Sequence, residues 1–184
     1  MKHIVIDLEM NKIARSSEAR KICKSEIIEI GAVMLDENLQ EIGNFRTYVK
    51  PEYNDKIAAE IRNLTGITDA MVANAPVFRE AFRMFTNWCL GTGDEVTIYA
   101  WSDSDRTQIL REIKAKNIES AKIDDFMKAD RWIDYQYVFK KRFHLDRCYS
   151  LEDALESAEI EPEGRFHDGL DDAVNTGALI KKLE

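Results

Sequence analysis

Cysteine is scarce in this sequence, and no two cysteines form a Cys-x-x-Cys pair. The three that occur, Cys23, Cys89 and Cys148, are odd in number and widely separated. This pattern argues against a disulfide framework and against a zinc knuckle, and it fits a reducing compartment. We therefore expect each cysteine to be a small apolar side chain or a harmless thiol, and the protein to be cytoplasmic.

Long hydrophobic runs are also missing. The longest apolar runs are far too short to span a bilayer, and the N-terminus carries no signal-peptide pattern, so no membrane partner is expected. Internal repeats, low-complexity tracts and interdomain linkers are not found either. The 184 residues are 45% hydrophobic and 33% charged, which is typical of a soluble globular protein. We expect one domain that covers residues 1–184.

A basic excess, the usual footprint of a protein that binds phosphate backbones, is missing as well. The formal net charge is −8. This value does not exclude a nucleic-acid partner, because four metal-ligating carboxylates would account for half of it. Residues 11–25 differ from the acidic chain as a whole, because they carry five basic side chains and one acidic one. That stretch is either a solvated loop or a loop that guides phosphates.

The most informative segment of the sequence is residues 3–10. They form a short apolar run, rich in isoleucine and valine, which predicts a buried strand. Alternate residues of a strand point to the same side, so Asp7 and Glu9 leave its end together. Adjacent carboxylates repel each other unless a cation lies between them, and oxygen ligands suit Mg²⁺ or Mn²⁺. The alternative is an ordinary strand end that becomes polar as it meets solvent.

The remaining pattern predicts an α/β fold with a mixed sheet of about five strands flanked by helices. Residues 26–35 and 41–49 form a hairpin that extends the first strand into an antiparallel meander. Gly31 interrupts the second strand, which indicates a bulge or a close backbone approach. Two further strands are predicted at residues 96–100 and 131–134. Helices are predicted over residues 56–64, from Pro76 to the glycines at 91 and 93, after Asp105, over residues 135–143 and 151–158, and finally up to Leu183.

Two more acidic positions each offer a choice between neighbours. Asp105 lies at a strand-to-helix junction, where α/β sheets place their sites, with Asp103 as the fallback. The alternative for either aspartate is a helix N-terminal residue favoured by the helix dipole. Near the end of the chain, Asp171 and Asp172 both follow His167.

The five residues Asp7, Glu9, Asp105, His167 and Asp172 together resemble the motif set of the DEDD superfamily of 3′-to-5′ exonucleases, in its histidine-bearing DEDDh (DnaQ-like) branch. The first motif of that family is an apolar strand that ends in Asp-x-Glu. The second places an aspartate five residues before a leucine, which favours Asp105, and the third is His-x₄-Asp, which favours Asp172. The resemblance covers nearly the whole chain in order, including the segment Leu64-Thr65-Gly66-Ile67.

The sister branch carries a tyrosine just before its last aspartate. The four residues that precede Asp172 include no tyrosine, so the histidine branch fits better. The Asp-Leu-Glu-Met opening and the His-Asp-Gly-Leu-Asp-Asp ending look nearest to the histone-mRNA-exonuclease-like and sporulation-inhibitor-like RNA exonucleases. The resemblance therefore implies a ribonuclease H-like fold.

The resemblance also implies metal-dependent hydrolysis of single-stranded RNA or DNA from the 3′ end, with RNA favoured and nucleoside 5′-monophosphates released. Asp7, Glu9, Asp105 and Asp172 would hold two Mg²⁺ or Mn²⁺ ions about 4 Å apart, which clamp the attacking and leaving oxygens. His167 would take the proton from the attacking water. The acidic net charge leaves open whether a protein partner delivers the substrate.

Four further residues would hold the terminal nucleotide by the same resemblance. They are Leu8 and Met10 on the first strand, and Leu64 and Thr65 before the long helix. Backbone amides and apolar side chains there would stack on the last base and meet the 3′-hydroxyl, and such contacts tolerate most sequences.

Three other functions compete with a stand-alone exonuclease. The chain could be a proofreading subunit that works in a polymerase complex, or a non-catalytic regulatory module that binds a protein partner. The complete set of five residues argues against the module, because a domain freed of catalysis need not keep all five. A metal-dependent phosphatase fits the motif order poorly.

Overall fold

A computed structural model describes residues 1–91, 93 and 95–184 of the chain. It contains a five-stranded sheet in the order β3-β2-β1-β4-β5. The strands are β1 Lys2–Lys12, β2 Ser25–Leu35, β3 Glu41–Tyr48, β4 Val96–Ala100 and β5 Trp132–Asp134. The first three pair antiparallel, whereas β4 runs parallel to both β1 and β5. The mixed sheet of the sequence prediction is confirmed.

Eight helices flank the sheet within the described part of the chain. They are α1 Ala59–Thr65, α2 Asp69–Val72, α3 Phe78–Leu90, α4 Ser104–Ala115, α5 Ala121–Phe126, α6 Tyr135–Arg142, α7 Leu151–Ser157 and α8 Gly169–Leu183. Short 3₁₀ turns occur at Glu18–Lys21 and Ala129–Arg131. Of the helices whose residues are described, none has the length and apolar character that crossing a membrane would require.

The hairpin between β2 and β3 is shaped by one side chain. Asp36 Oδ1 accepts hydrogen bonds from the backbone N–H groups of Asn38 and Gln40, at 2.8 and 2.9 Å. Such bonds are the reason why aspartate favours turns. The antiparallel register of β2 and β3 follows from this tight connection.

The two faces of β1 pack against different helices. Ile4, Ile6 and Leu8 belong to a buried cluster on one face, together with apolar side chains of α3, α4 and α5. Val5 belongs to the opposite cluster, which includes Leu179 and other side chains of α6, α7 and α8. The side-chain alternation of a strand therefore directs Asp7 and Glu9 toward the α8 face, beyond the end of the second cluster.

Gly31 lies where the backbone of α8 crosses β2. A Cβ atom on Gly31 would lie 2.1 Å from the carbonyl carbon of Gly169. The close backbone approach is therefore the correct one of the two interpretations. Two register irregularities of the sheet lie away from Gly31. In one, Glu9 and Met10 of β1 face Glu29 and Ile27, so the unpaired residue is on β2, and the other falls between Met34 and Leu35 of β2.

One predicted helix begins later than expected. The pattern predicts a helix over residues 56–64, but α1 begins at Ala59. The backbone N–H groups of Ile57 and Ala58 donate to the side chains of Asp69 and Asn11, at 2.7 and 3.0 Å. These tertiary contacts satisfy the donors that precede the helix and fix its start.

Candidate functional site

Four carboxylates from three elements meet at the end of β1. Asp7 and Glu9 come from β1, Asp105 from the first turn of α4, and Asp172 from the first turn of α8. Pairing between β1 and β4 ends at Ile6 and Ala100, so the next residues of β1 have no strand on that side. Asp105 reaches this gap, where its carboxylate accepts a hydrogen bond from the backbone of Leu8.

Burial and mutual repulsion make these carboxylates difficult to ionise. Burial, followed by the charges of Asp105, Asp172 and Glu9, holds the pKa of Asp7 well above its usual range. Burial and the charge of Asp172 raise the pKa of Glu9 to about 8. Without a cation, the cluster therefore holds protons at neutral pH that isolated carboxylates would have released.

The other two carboxylates show the same effect to a smaller degree. Burial raises the pKa of Asp105 to about 7, against the opposing hydrogen bond from Leu8. Burial raises the pKa of Asp172 to about 6, although a hydrogen bond from His167 lowers it. Only 4% of Asp105 and 7% of Asp172 is exposed, so solvent screens their charges weakly.

His167 lies beside this cluster on an exposed loop. Its backbone N–H donates to Asp172 Oδ2 at 2.9 Å. A ring nitrogen of His167 and carboxylate oxygens of Glu9 and Asp172 all lie within 4.8 Å of one another. The residue adopts a φ of +63°, a left-handed conformation that histidine adopts more often than most residues. The ring is thus held at the mouth of the site, in contact with solvent.

The two competing aspartates have other partners. Asp103 is exposed, and its Oδ2 accepts from the hydroxyl of Thr107 at 2.8 Å. Asp171 Oδ2 accepts from the backbone N–H of Arg165 at 2.7 Å. The structure therefore brings Asp105 and Asp172 into the cluster, in agreement with the motif spacing.

The residues predicted to hold a nucleotide differ in accessibility. Leu8 is buried in the core, and Met10 is partly buried against the same cluster. Leu64 exposes 46% of its surface at the end of α1. The Thr65 hydroxyl donates to the carbonyl of Ile61 at 2.9 Å and so shapes the end of this helix. Leu64 thus offers apolar surface to a ligand, and nucleotide contacts by the four residues remain a prediction.

Sequence reasoning missed a charged network under the start of α8. Arg46 Nε lies 2.6 Å from Glu29 Oε1, and its Nη2 lies 2.6 Å from Asp168 Oδ2. Glu29 is fully buried and also accepts from the backbone N–H of Gly169 at 3.2 Å. The network fixes the residue that follows His167. The charged residue Glu29, flanked by Ile28 and Ile30 in the predicted strand, is the signal that could have revealed the network.

The donor set fits divalent cations that prefer oxygen ligands. Asp172 Oδ1 is buried and has no hydrogen-bond partner among the described residues. Such an orphaned oxygen is costly unless a ligand meets it. Together with three neighbouring carboxylates that resist ionisation alone, it provides the ligands that Mg²⁺ and Mn²⁺ favour. The site is therefore chemically suited to hold such ions.

We expect the metal-free protein to lose stability as the pH rises. The pKa values of Glu9, Asp105 and Asp172, about 8, 7 and 6, lie above those of an unfolded chain. The folded state then binds more protons than the unfolded state, so the free energy of unfolding falls as the pH rises from about 5 to about 9. Thermal unfolding in EDTA, followed by circular dichroism, should give a higher Tm at the acidic end. Adding Mg²⁺ or Mn²⁺ should restore the Tm at the alkaline end, and a Tm in EDTA that rises with pH would contradict the expectation.

Comparison with known proteins identifies the family to which this chain belongs. The family model described as RNase_T: Exonuclease matches residues 4–180. A 3'-5' exonuclease called Snipper, from Drosophila melanogaster, is 28% identical over 181 residues, which cover 87% of this chain and 61% of that protein. The human protein called ERI1 exoribonuclease 2 is 30% identical over 179 residues, which cover 86% of this chain and 25% of that protein. The chain thus spans only part of the length of these relatives.

The fold also matches solved structures. The nuclease domain of 3'hExo, described as a DEDDh family member bound to rAMP, superimposes with a TM-score of 0.83 and 22% sequence identity. The match covers 99% of this chain and 90% of that domain. At this identity the likeness establishes the fold, and the predicted ribonuclease H-like class is confirmed.

Proposed function

Because the chain belongs to the RNase_T exonuclease family, we propose that it hydrolyses single-stranded nucleic acid from the 3′ end and releases nucleoside 5′-monophosphates. The observation that carries this proposal is the meeting of four carboxylates from β1, α4 and α8, with His167 beside them. Hydrolysis of a phosphodiester needs an activated water and relief of negative charge at the phosphate. This arrangement can supply both.

Asp7, Glu9, Asp105 and Asp172 would hold the cofactor, for which we propose two Mg²⁺ or Mn²⁺ ions. When bound, such ions acidify water and neutralise charge on the phosphate oxygens. The buried Asp172 Oδ1, which lacks a partner within the described chain, supports the assignment of Asp172 as a ligand.

His167 would act as the general base. Its ring takes the proton from the attacking water and, because the residue is exposed, passes it to solvent. The hydrogen bond from its backbone N–H to Asp172 holds the loop against the carboxylate cluster. The network of Arg46, Glu29 and Asp168 secures the following residue, so the ring needs little reorganisation before the reaction.

RNA is the proposed substrate in preference to DNA. The support comes from relatives, since the human relative is named an exoribonuclease and the solved nuclease domain holds rAMP. A protein partner that delivers the substrate agrees with the acidic net charge of −8. Action in the cytoplasm remains a prediction from the cysteine pattern.

We expect replacement of His167 with alanine to lower kcat by about 10²-fold to 10⁴-fold, the usual contribution of a general base. The assay uses 5′-labelled single-stranded RNA and DNA of one sequence, incubated with Mg²⁺ or Mn²⁺ and resolved as a ladder. The parent protein should shorten the RNA from its 3′ end, and EDTA should stop the reaction.

The matched control is His144→Ala, because His144 is also exposed and also has a positive φ, of 51°. That variant should cleave as the parent does. Failure of the parent to shorten either oligonucleotide with either metal would refute the proposed function. An equal loss of kcat in both histidine variants would show that His167 is not the general base.

A further inference from the structure

Arg165 bridges the loop that carries His167 and the end of α1. Its Nη2 donates to the carbonyl oxygen of Leu64. Its guanidinium also lies against Gly66, where a Cβ atom would be 2.3 Å from Nη1. The side chain thus links the loop of His167 to the exposed residue Leu64.

The backbone beneath this side chain is fixed. The N–H of Arg165 donates to Asp171 Oδ2 at 2.7 Å. Gly164, at a φ of +66°, leaves room for the same carboxylate, because a Cβ atom there would lie 2.2 Å from it. The exposed guanidinium therefore extends from a rigid base, and it can change partners without a movement of the loop.

The charge of Arg165 is not neutralised by any carboxylate in the described part of the chain. Among the ion pairs between described residues, none includes this guanidinium, and its hydrogen-bond acceptor is a neutral carbonyl. Arg46, the other arginine near the His167 loop, is already held by Glu29 and Asp168. A guanidinium with free donors binds phosphate in a bidentate manner, and phosphate is a stronger acceptor than a carbonyl.

We propose that Arg165 is a substrate-binding residue that releases Leu64 and pairs with a phosphate of the bound strand. This inference rests on the proposed exonuclease function and adds a phosphate contact to it. The contact offsets the negative charge of the carboxylate cluster, which would otherwise repel the strand. The release of Leu64 also frees its carbonyl and the apolar surface beside it for the terminal nucleotide.

The test measures how the affinity for RNA depends on salt. A short 5′-labelled single-stranded RNA is titrated in Mg²⁺ with the His167→Ala variant, which slows hydrolysis, and binding is followed by fluorescence anisotropy. Arg165→Ala in this background should weaken binding about tenfold and reduce the slope of log K against log salt by about 0.7, the value for one phosphate contact. In the otherwise native protein it should raise KM with little change in kcat.

Two variants separate this contact from a structural role. Arg165→Lys keeps the charge but loses the planar pair of donors, so it should keep the salt slope and bind with intermediate affinity. Arg83→Ala removes an exposed arginine from α3 and should leave both the slope and KM unchanged. A purely structural bridge to Leu64 would not alter the salt slope.

The outcomes distinguish this inference from the proposed function. An unchanged slope and KM in Arg165→Ala, while the parent degrades RNA, would overturn the role of Arg165 and leave the exonuclease intact. A reduced slope with no hydrolysis by the parent would support the phosphate contact and overturn the exonuclease. If the parent binds neither RNA nor DNA of the same sequence and shortens neither, both are overturned.

Discussion

Replacing Asp7 with asparagine is expected to abolish hydrolysis and, at the same time, to raise the stability of the metal-free protein. The pKa of Asp7 is strongly raised because its carboxylate is desolvated and lies near the charges of Asp105, Asp172 and Glu9. Asparagine has nearly the same shape but no charge, so it removes the repulsion. It is also a weak metal ligand, and we expect activity to fall by about a thousandfold or more.

Two measurements of thermal stability complement the activity assay of Asp7→Asn. In EDTA at about pH 8, where the carboxylates repel one another most, the Tm of Asp7→Asn should exceed that of the parent. The increase in Tm that the parent shows with Mg²⁺ or Mn²⁺ should shrink in the variant. Asp103→Asn is the control, because Asp103 lies near the cluster but is exposed and binds Thr107 instead. If Asp7→Asn keeps its activity, Asp7 is not needed for hydrolysis. If its Tm in EDTA is lower than that of the parent, the charge of Asp7 does not destabilise the metal-free protein.

The second large effect is expected from adding a single methyl group at Gly31. The Cβ atom of an alanine would lie 2.1 Å from the carbonyl carbon of Gly169 and 2.2 Å from the backbone nitrogen of Leu170. Both are backbone atoms, so no side chain can rotate away, and α8 must shift from β2. We expect Gly31→Ala to lower the free energy of unfolding by about 3 kcal/mol, the upper end of the usual cost of overpacking.

The matched control for this substitution is Gly43→Ala, which adds the same methyl group where no atom lies within 4 Å. Its free energy of unfolding should stay within about 0.5 kcal/mol of the parent. Urea denaturation gives both values. Hydrolysis by Gly31→Ala, measured where it is still folded, should also be reduced, because the displaced start of α8 carries Asp172. Equal stability of the two variants would disprove the tight crossing.

The parts of the fold that the sequence predicts correctly are those with local signals. The first strand shows as an apolar run, and the start of the β2–β3 hairpin shows in the turn residues at Asp36. The helix predicted from Pro76 is present as α3, and its Phe78, Phe82 and Phe85 are fully buried. In each case the periodicity of the element and the chemistry of its ends point to one structure.

Other features depend on contacts between distant segments and left little trace in the local pattern. The helices α2 and α5 have only 4 and 6 residues, too few for a helical period to appear. The start of α1 is set by Asn11 and Asp69, which lie outside the helix.

Some residues of the candidate site are likewise predictable from the sequence, whereas others are recognised only in the folded structure. The family motif spacing placed Asp105 and Asp172 in the cluster ahead of their neighbours. The pairing of Arg46 with Glu29 and Asp168 becomes visible only when β3 and α8 come together. Arg165 looks like an ordinary loop residue until Leu64 is found beside it.

The distribution of the site along the chain has a consequence for biosynthesis. Asp7 and Glu9 are made first and Asp105 later, but Asp172 and His167 reach them only when α8 packs on β1 and β2. A ribosome-bound chain that has not been extended through α8 therefore lacks the proposed general base and one of the proposed metal ligands. Folding that depends on such distant contacts is completed late. For the proposed exoribonuclease, this order would keep the site incomplete while the chain is still being translated.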